Sequence, residues 1–303
     1  MSAGAPFDPE ELEAAGAPVQ AAIPPATSLG AVHLTVADLD RSIEYYASAI
    51  GLSVVERSSD RVALGAGATT LLVLEELPGA GSSYGHTGLY HFALLLPERA
   101  DLARWLAHAA ADRVALTGLS DHFVSEALYL DDPDGHGIEI YWDRPRPVWE
   151  GQVAARMTTL PLDVDDLMGE LATPAGPYAG MPAGTVMGHV HLRVADVPAS
   201  VAFYRDVLGF GLMAQLGPQA AFFGAGGYHH HIGANTWESR GAAPAPPTSA
   251  TLRHATVLLP GEAERDALLA RVAEAGHPTE ETGAGPLVRD PSGNGLVLGV
   301  RPA

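Results

Sequence analysis

The sequence predicts an α+β protein built from four βαβββ modules in two tandem copies, and two observations carry that prediction. The first is a repeat at constant offset. Asp38-Leu39, Tyr45-Tyr46 and Ile50-Gly51-Leu52 return as Asp196-Val197, Phe203-Tyr204 and Leu208-Gly209-Phe210, each 158 positions later. Asp132-Pro133-Asp134-Gly135-His136-Gly137 returns as Asp290-Pro291-Ser292-Gly293-Asn294-Gly295 at the same distance, which marks a tandem duplication. The second observation is a pattern inside each copy, where a strand-like alternation, a helix-spaced segment and further strand-like runs follow one another twice.

The elements follow in order. Residues 1–28, rich in Ala and Pro, read as a flexible tail. Val32–Val36 alternates as a strand does, and Leu39–Ile50 has apolar residues at helical spacing and stops at Gly51. Strand-like runs at Leu52–Glu56, Val62–Gly65 and Thr69–Leu74 complete the first module. The second runs from Tyr90–Leu96 through a helix at Arg99–Ala110 to a strand at Gly137–Trp142. Residues 144–186, with several Pro and Gly and a short apolar helix near Val164–Leu171, read as a linker. The third module opens at Gly188–Val194 and the fourth at Arg253–Leu259. The expected domains are therefore 29–143 and 187–303, two modules each.

Composition narrows the chemistry. Seventeen basic residues against 36 acidic ones give a net charge of −19, which disfavours nucleic acid as a partner. All seventeen are Arg, so lysine Schiff bases and a Walker-type phosphate loop are excluded. No Cys is present, which removes disulfides, thiolate nucleophiles and cysteine metal sites. Any metal must be held by His, Asp or Glu. No uncharged apolar run approaches the roughly 20 residues of a membrane span, and the N-terminus lacks the basic and apolar segments of a signal peptide. A cytoplasmic protein without a membrane partner is the expectation, with homo-oligomerisation left open.

Four such modules resemble the vicinal oxygen chelate superfamily of glyoxalases, extradiol dioxygenases and bleomycin-resistance proteins, over residues 29–300. The resemblance implies mixed sheets curled into cups, with a metal at the bottom of a cup. Its first-strand motif, H-x-x-L-x-V-x-D, is matched by His189-Val190-His191-Leu192-Arg193-Val194-Ala195-Asp196, with His189 in the ligand slot. The same slot in the first module holds Ala31, and His33, like His191, reads as a neighbouring sheet-face residue. The second and fourth modules offer His91 and His254. The last strand of the second module offers Glu139, a carboxylate between apolar residues that needs a partner there, whereas the fourth has Val297. Pairing module two with three completes a His91, Glu139 and His189 set, a 2-His-1-carboxylate triad suited to non-haem Fe(II), or to Mn(II) in its place. Sequential pairing would instead call on His33 as third ligand.

The stretch from His122 through Leu128-Tyr129 and Asp132-Pro133-Asp134-Gly135 to Glu139 is similar to the extradiol dioxygenase signature, and departs from it at Ser120. The resemblance implies ring cleavage of a catechol- or hydroquinone-like aromatic with O2. Tyr129 and His122 are its hydrogen-bond donors to substrate, although a structural role for each stays open. In Gly227-Tyr228-His229-His230-His231-Ile232-Gly233 the resemblance makes His230 the acid–base residue. Strand alternation sends His230 to one face and His229 and His231 to the other, and the usual imidazole pKa suits His230 to proton transfer near neutrality. Two other readings stand beside this one. A glyoxalase-like isomerase or lyase would add a carboxylate such as Glu75 or Glu76, and a metal-free sequestering protein would need no His and Glu set.

Overall fold

The computed structural model describes residues 22–171 and 178–302. Most of the expected tail, 1–21, lies outside the described residues. Residues 22–27 are held rather than loose: the Ala22 and Ile23 amides donate to the Gly209 carbonyl at 2.7 and 2.8 Å, and Ile23 is buried.

The first module comprises β1 (Ser28–Val36), α1 (Leu39–Tyr45), β2 (Ser53–Arg57), β3 (Arg61–Ala66) and β4 (Thr69–Glu76). The second comprises β5 (Gly88–Leu95), α2 (Arg99–Asp112), β6 (Gly118–Asp121), β7 (Ser125–Asp131) and β8 (Gly137–Asp143). The expected linker is itself structured, with α3 (Arg146–Trp149), α4 (Val153–Arg156), β9 (Leu160–Pro161) and α5 (Val164–Met168). The third module is β10 (Val186–Arg193), α6 (Val197–Val201), β11 (Gly211–Leu216), β12 (Ala220–Gly224) and β13 (Ile232–Asn235). The fourth is β14 (Leu252–Leu259), α7 (Glu262–Glu274), β15 (Thr279–Thr282), β16 (Gly285–Arg289) and β17 (Gly295–Val300).

Two mixed sheets result, each joining one module from either half of the chain. One sheet runs β15-β16-β17-β14-β1-β4-β3-β2 and combines modules four and one. The other runs β11-β12-β13-β10-β5-β8-β7-β6-β9 and combines modules three and two, with the linker strand β9 added at its edge. The joins are antiparallel, β1 to β14 and β5 to β10, while β4 and β17, β8 and β13 pair parallel to the opening strand of their own module. Apolar residues of both sheets and of the helices, among them Phe92, Trp105, Tyr204 and Phe223, fill the core.

The helix expected over Leu39–Ile50 begins as an α-helix capped by Asp38, whose carboxylate accepts from the Arg41 amide at 2.9 Å. It then widens into a π-helical turn, Tyr46–Ile50, and ends at Gly51 in the left-handed region (φ 90°). The third module widens into a π-helical turn likewise at Ala202–Val207. Each wide turn carries a buried tyrosine to the Asp-Pro turn of the following module: Tyr46 Oη donates to Asp132 Oδ2, and Tyr204 Oη to Asp290 Oδ2, both at 2.9 Å. The other oxygen of Asp132 accepts from the amides of Asp134 and His136, so the carboxylate organises the turn that precedes β8. Tyr46→Phe leaves Asp132 Oδ2 buried without that donor and is expected to lower stability by about 1–3 kcal/mol. Urea unfolding against the parent chain measures it, and an unchanged midpoint would show that the pair contributes nothing.

In the sheet of modules one and four, His33 faces His254 across β1 and β14, and the two rings stack at 4.0 Å between centroids. Burial, then neighbouring His254 and arginines, brings His33 down to about 3; burial and Arg253 bring His254 down to about 4. Both stay neutral in the folded chain where an unfolded imidazole, near 6.5, takes up a proton. The unfolded state therefore binds more protons, and stability present above about pH 6.5 is lost as the pH falls from there towards 3. His33→Gln should flatten the decline of the urea midpoint between pH 7 and 5, by roughly 1–2 kcal/mol at pH 5.

Candidate metal centre

The sheet of modules two and three carries the candidate centre. In the parallel register of β5 with β8, Ala93 stands beside Glu139; in the antiparallel register of β5 with β10, Ala93 stands beside His189. Glu139 and His189 thus flank Ala93 in one row across the sheet, and Tyr129 of β7 extends that row on the far side of Glu139. His91 precedes Ala93 by two residues and projects from the same face. The small, fully buried Ala93 leaves the space above it to these longer side chains.

Glycines leave room in the next row. A Cβ on Gly137, beside His91, would sit 2.1 Å from the Tyr90 carbonyl and 3.1 Å from the His91 Cβ. One on Gly233, beside His191, would sit 2.8 Å from that imidazole.

His91, Glu139 and His189 are all buried, and their ligand atoms lie within 4.8 Å of one another; among the described residues no other such group occurs. Glu139 Oε2 is 3.0 Å from both His91 Nε2 and His189 Nε2, and these two nitrogens are 3.3 Å apart. Burial alone would raise the Glu139 carboxyl, but the facing His189 and His91 imidazoles outweigh it and hold the group well below the usual carboxylate range. Burial lowers His189 in spite of Glu139, so its nitrogen is available as a neutral ligand. A void of about 20 Å³ lies between His91, Glu139, His189, His191, Phe222 and His230, room for a single ion or water. Two imidazole nitrogens and one carboxylate converging on so small a space fit a divalent cation that accepts N and O donors.

A larger pocket of about 510 Å³ adjoins, lined by His91, His122, Tyr129, Tyr90 and Arg193 among others. His122 Nδ1 donates to the Thr158 carbonyl of the linker at 2.8 Å, which leaves Nε2 to accept from the Tyr129 hydroxyl at 2.7 Å. The sequence reading made both side chains donors to substrate. With this tautomer, Tyr129 donates to His122.

The histidine run departs from expectation. Its residues lie in an irregular turn before β13, where Gly226 and Gly227 adopt φ of 57° and 71°, so strand alternation does not apply to them. His230 packs tilted against His189, with 4.1 Å between ring centroids. His229, expected on the opposite face, meets His230 instead, Nδ1 to Nδ1 at 2.8 Å, and its Nε2 donates to Asp143 Oδ1 at 2.8 Å. Asp143 Oδ2 in turn accepts from the Tyr228 hydroxyl. A carboxylate only accepts, so a neutral His229 carries its proton on Nε2 and accepts at Nδ1 from His230 Nδ1–H. His230 is left with Nε2 as its basic atom. Its pKa is not near the ordinary 6.5 but well below, through burial and the neighbouring imidazoles of His189, His229 and His191.

His191, read from sequence as a neighbour only, lines the same small void, because it follows His189 by two residues on one strand. The same period of two, applied from His189, identifies it. His33 lies in the other sheet and does not approach His91, and Glu75 on β4 pairs with Arg253 there, at 3.1 Å. Neither can complete the His91 and Glu139 pair. Among the described residues no helix is long and apolar enough to cross a membrane.

The family model for the Glyoxalase/Bleomycin resistance protein/Dioxygenase superfamily matches residues 28–140 and 186–298. A catechol-2,3-dioxygenase of Bacillus subtilis (strain 168) is 43% identical over 271 residues, covering 88% of this chain and 94% of that one. Among solved structures, a protein of Bacillus subtilis subsp. subtilis str. 168 superposes with a TM-score of 0.60 at 15% identity, covering 91% and 86% of the two chains. Glyoxalase I from Zea mays superposes with a TM-score of 0.54 at 16% identity, covering 90% and 92%. The solved structures show the common fold.

Proposed function

Because the chain belongs to the glyoxalase, bleomycin resistance protein and dioxygenase superfamily, we propose that it is a metal-dependent extradiol ring-cleaving dioxygenase acting on a catechol- or hydroquinone-like aromatic with O2. The observation that carries this reading is the convergence of His91, Glu139 and His189 on one small void beside Tyr129, His122 and His230. A relative named for the activity, at 43% identity, supports it.

His91, Glu139 and His189 would hold the metal, Fe(II) or Mn(II). When bound, such an ion acidifies the hydroxyl of a dihydroxylated aromatic and supplies redox chemistry for O2. The chain does the rest. The pocket of about 510 Å³ accommodates one aromatic ring, and Tyr129, held by His122, accepts a hydrogen bond from a substrate hydroxyl. His230 takes a proton at Nε2, and His229 and Asp143 keep that nitrogen unprotonated and aimed by binding its Nδ1–H. His230 can return the proton when the ring opens.

The test is a metal assay on the purified chain followed by O2 uptake with a panel of catechols and hydroquinones. Stoichiometric metal with O2 consumed in proportion to ring-cleaved product is the expected result. Metal without O2 uptake would favour the isomerase or lyase reading, and ligand binding by a chain that takes up no metal would favour sequestration.

A further inference from the structure

A cavity of about 860 Å³ lies away from the candidate metal centre, in the curl of the sheet formed by modules one and four. Its position corresponds to that of the metal centre in the other sheet, but Val297 stands where Glu139 would stand, so the triad cannot form there. Its charged lining is unlike the rest of this acidic chain. Three of the seventeen arginines, Arg61, Arg253 and Arg289, face it together with two glutamates, Glu75 and Glu280. Arg253 pairs with Glu75 at 3.1 Å and Arg289 with Glu280 at 3.0 Å. Arg61, exposed at the head of β3, has no side-chain partner among the described residues, and supplies one unbalanced positive charge. His254, 8% exposed, lines the same space, and its Nε2 has no hydrogen-bond partner in the protein. Such orphaned buried polar atoms are rare and point to a missing partner.

We infer that this second cup is a binding site for a small organic monocarboxylate, held by Arg61 and the His254 imidazole against the apolar Leu252 and Leu287. The charge count selects the class. With two of the three guanidiniums neutralised, one negative charge balances the lining, whereas a phosphate dianion would leave an excess facing Glu75 and Glu280. Burial, with these arginines adding to it, holds the His33 and His254 imidazoles neutral, so they add no cation to the count. A volume of this size suits a ligand with an apolar body of one ring. The site does not rest on the proposed dioxygenase activity.

The experiment is isothermal titration of the full-length chain with benzoate, and in parallel with its neutral isostere benzamide and with inorganic phosphate. Benzoate is expected to bind one to one, with benzamide and phosphate at least tenfold weaker. Arg61→Gln should weaken benzoate at least tenfold while O2 uptake and thermal midpoint stay as in the parent chain, because the side chain is exposed and unpaired; Arg61→Lys should restore part of the affinity. Failure of benzoate to bind at millimolar concentration overturns the inference. So does equal affinity in Arg61→Gln, which would put benzoate elsewhere, or phosphate or benzamide binding as well as benzoate.

Discussion

Glu139→Ala is expected to release the metal and abolish O2 consumption, with activity at or below the background of free metal. Three protein ligands leave no redundancy, and the substitution removes the one anion that balances the charge of a divalent ion there. Among the described residues no other carboxylate completes a set with these histidines. Asp143 is engaged by His229 and Tyr228, and the fourth module has Val297 at the corresponding point. His91→Ala and His189→Ala should behave alike. Metal analysis beside an O2 electrode measures both effects, and a Glu139→Ala chain that keeps full metal content and activity would move the centre elsewhere.

His230→Ala separates proton transfer from metal binding. Metal content and substrate affinity are expected to persist, while kcat falls by roughly 10²–10⁴, the usual contribution of a positioned acid–base group. Asp143→Asn acts one step further out. An amide can present its NH2 to His229 Nε2 and favour the other tautomer, which turns the Nδ1 proton of His229 against His230. The expected result is a lower kcat at unchanged KM, and smaller than the loss in His230→Ala. An unaltered rate and pH profile in His230→Ala would remove that residue from the chemistry.

The sequence made the modules legible because duplication repeats the same landmarks, Asp38 with Asp196 and Asp132 with Asp290, at one spacing. It also pointed to Glu139, since a carboxylate between apolar residues on a strand demands a partner, while the resemblance to the superfamily's first-strand motif put His189 in the ligand slot and the pairing of modules two and three added His91. What stayed hidden depended on backbone that follows neither period. The π-helical turn at Tyr46–Ile50 carries the same apolar residues an α-helix would. The histidine run was read as strand, and the left-handed Gly226 and Gly227 turn brings His229 round to His230 and Asp143, a contact no alternation predicts. The linker strand β9 owes its pairing to β6, far along the chain, and no local pattern announces it.

The joining of strands between the two halves has a consequence for how the chain is made. The partnerships nest like parentheses: β5 meets β10, while β1 on the outside meets β14, with Ser28 opposite Leu258. During synthesis at about 5–20 residues per second, β1 emerges roughly 10–45 s before β14 exists. The sheet carrying the candidate metal ligands can close first, when the third module appears, while the first module waits with one side of β1 unpaired until β14 has been added. The interval before β14 is made is therefore when nascent chains are most exposed to edge-to-edge association with one another, and slowing synthesis would lengthen the exposure of the outer sheet.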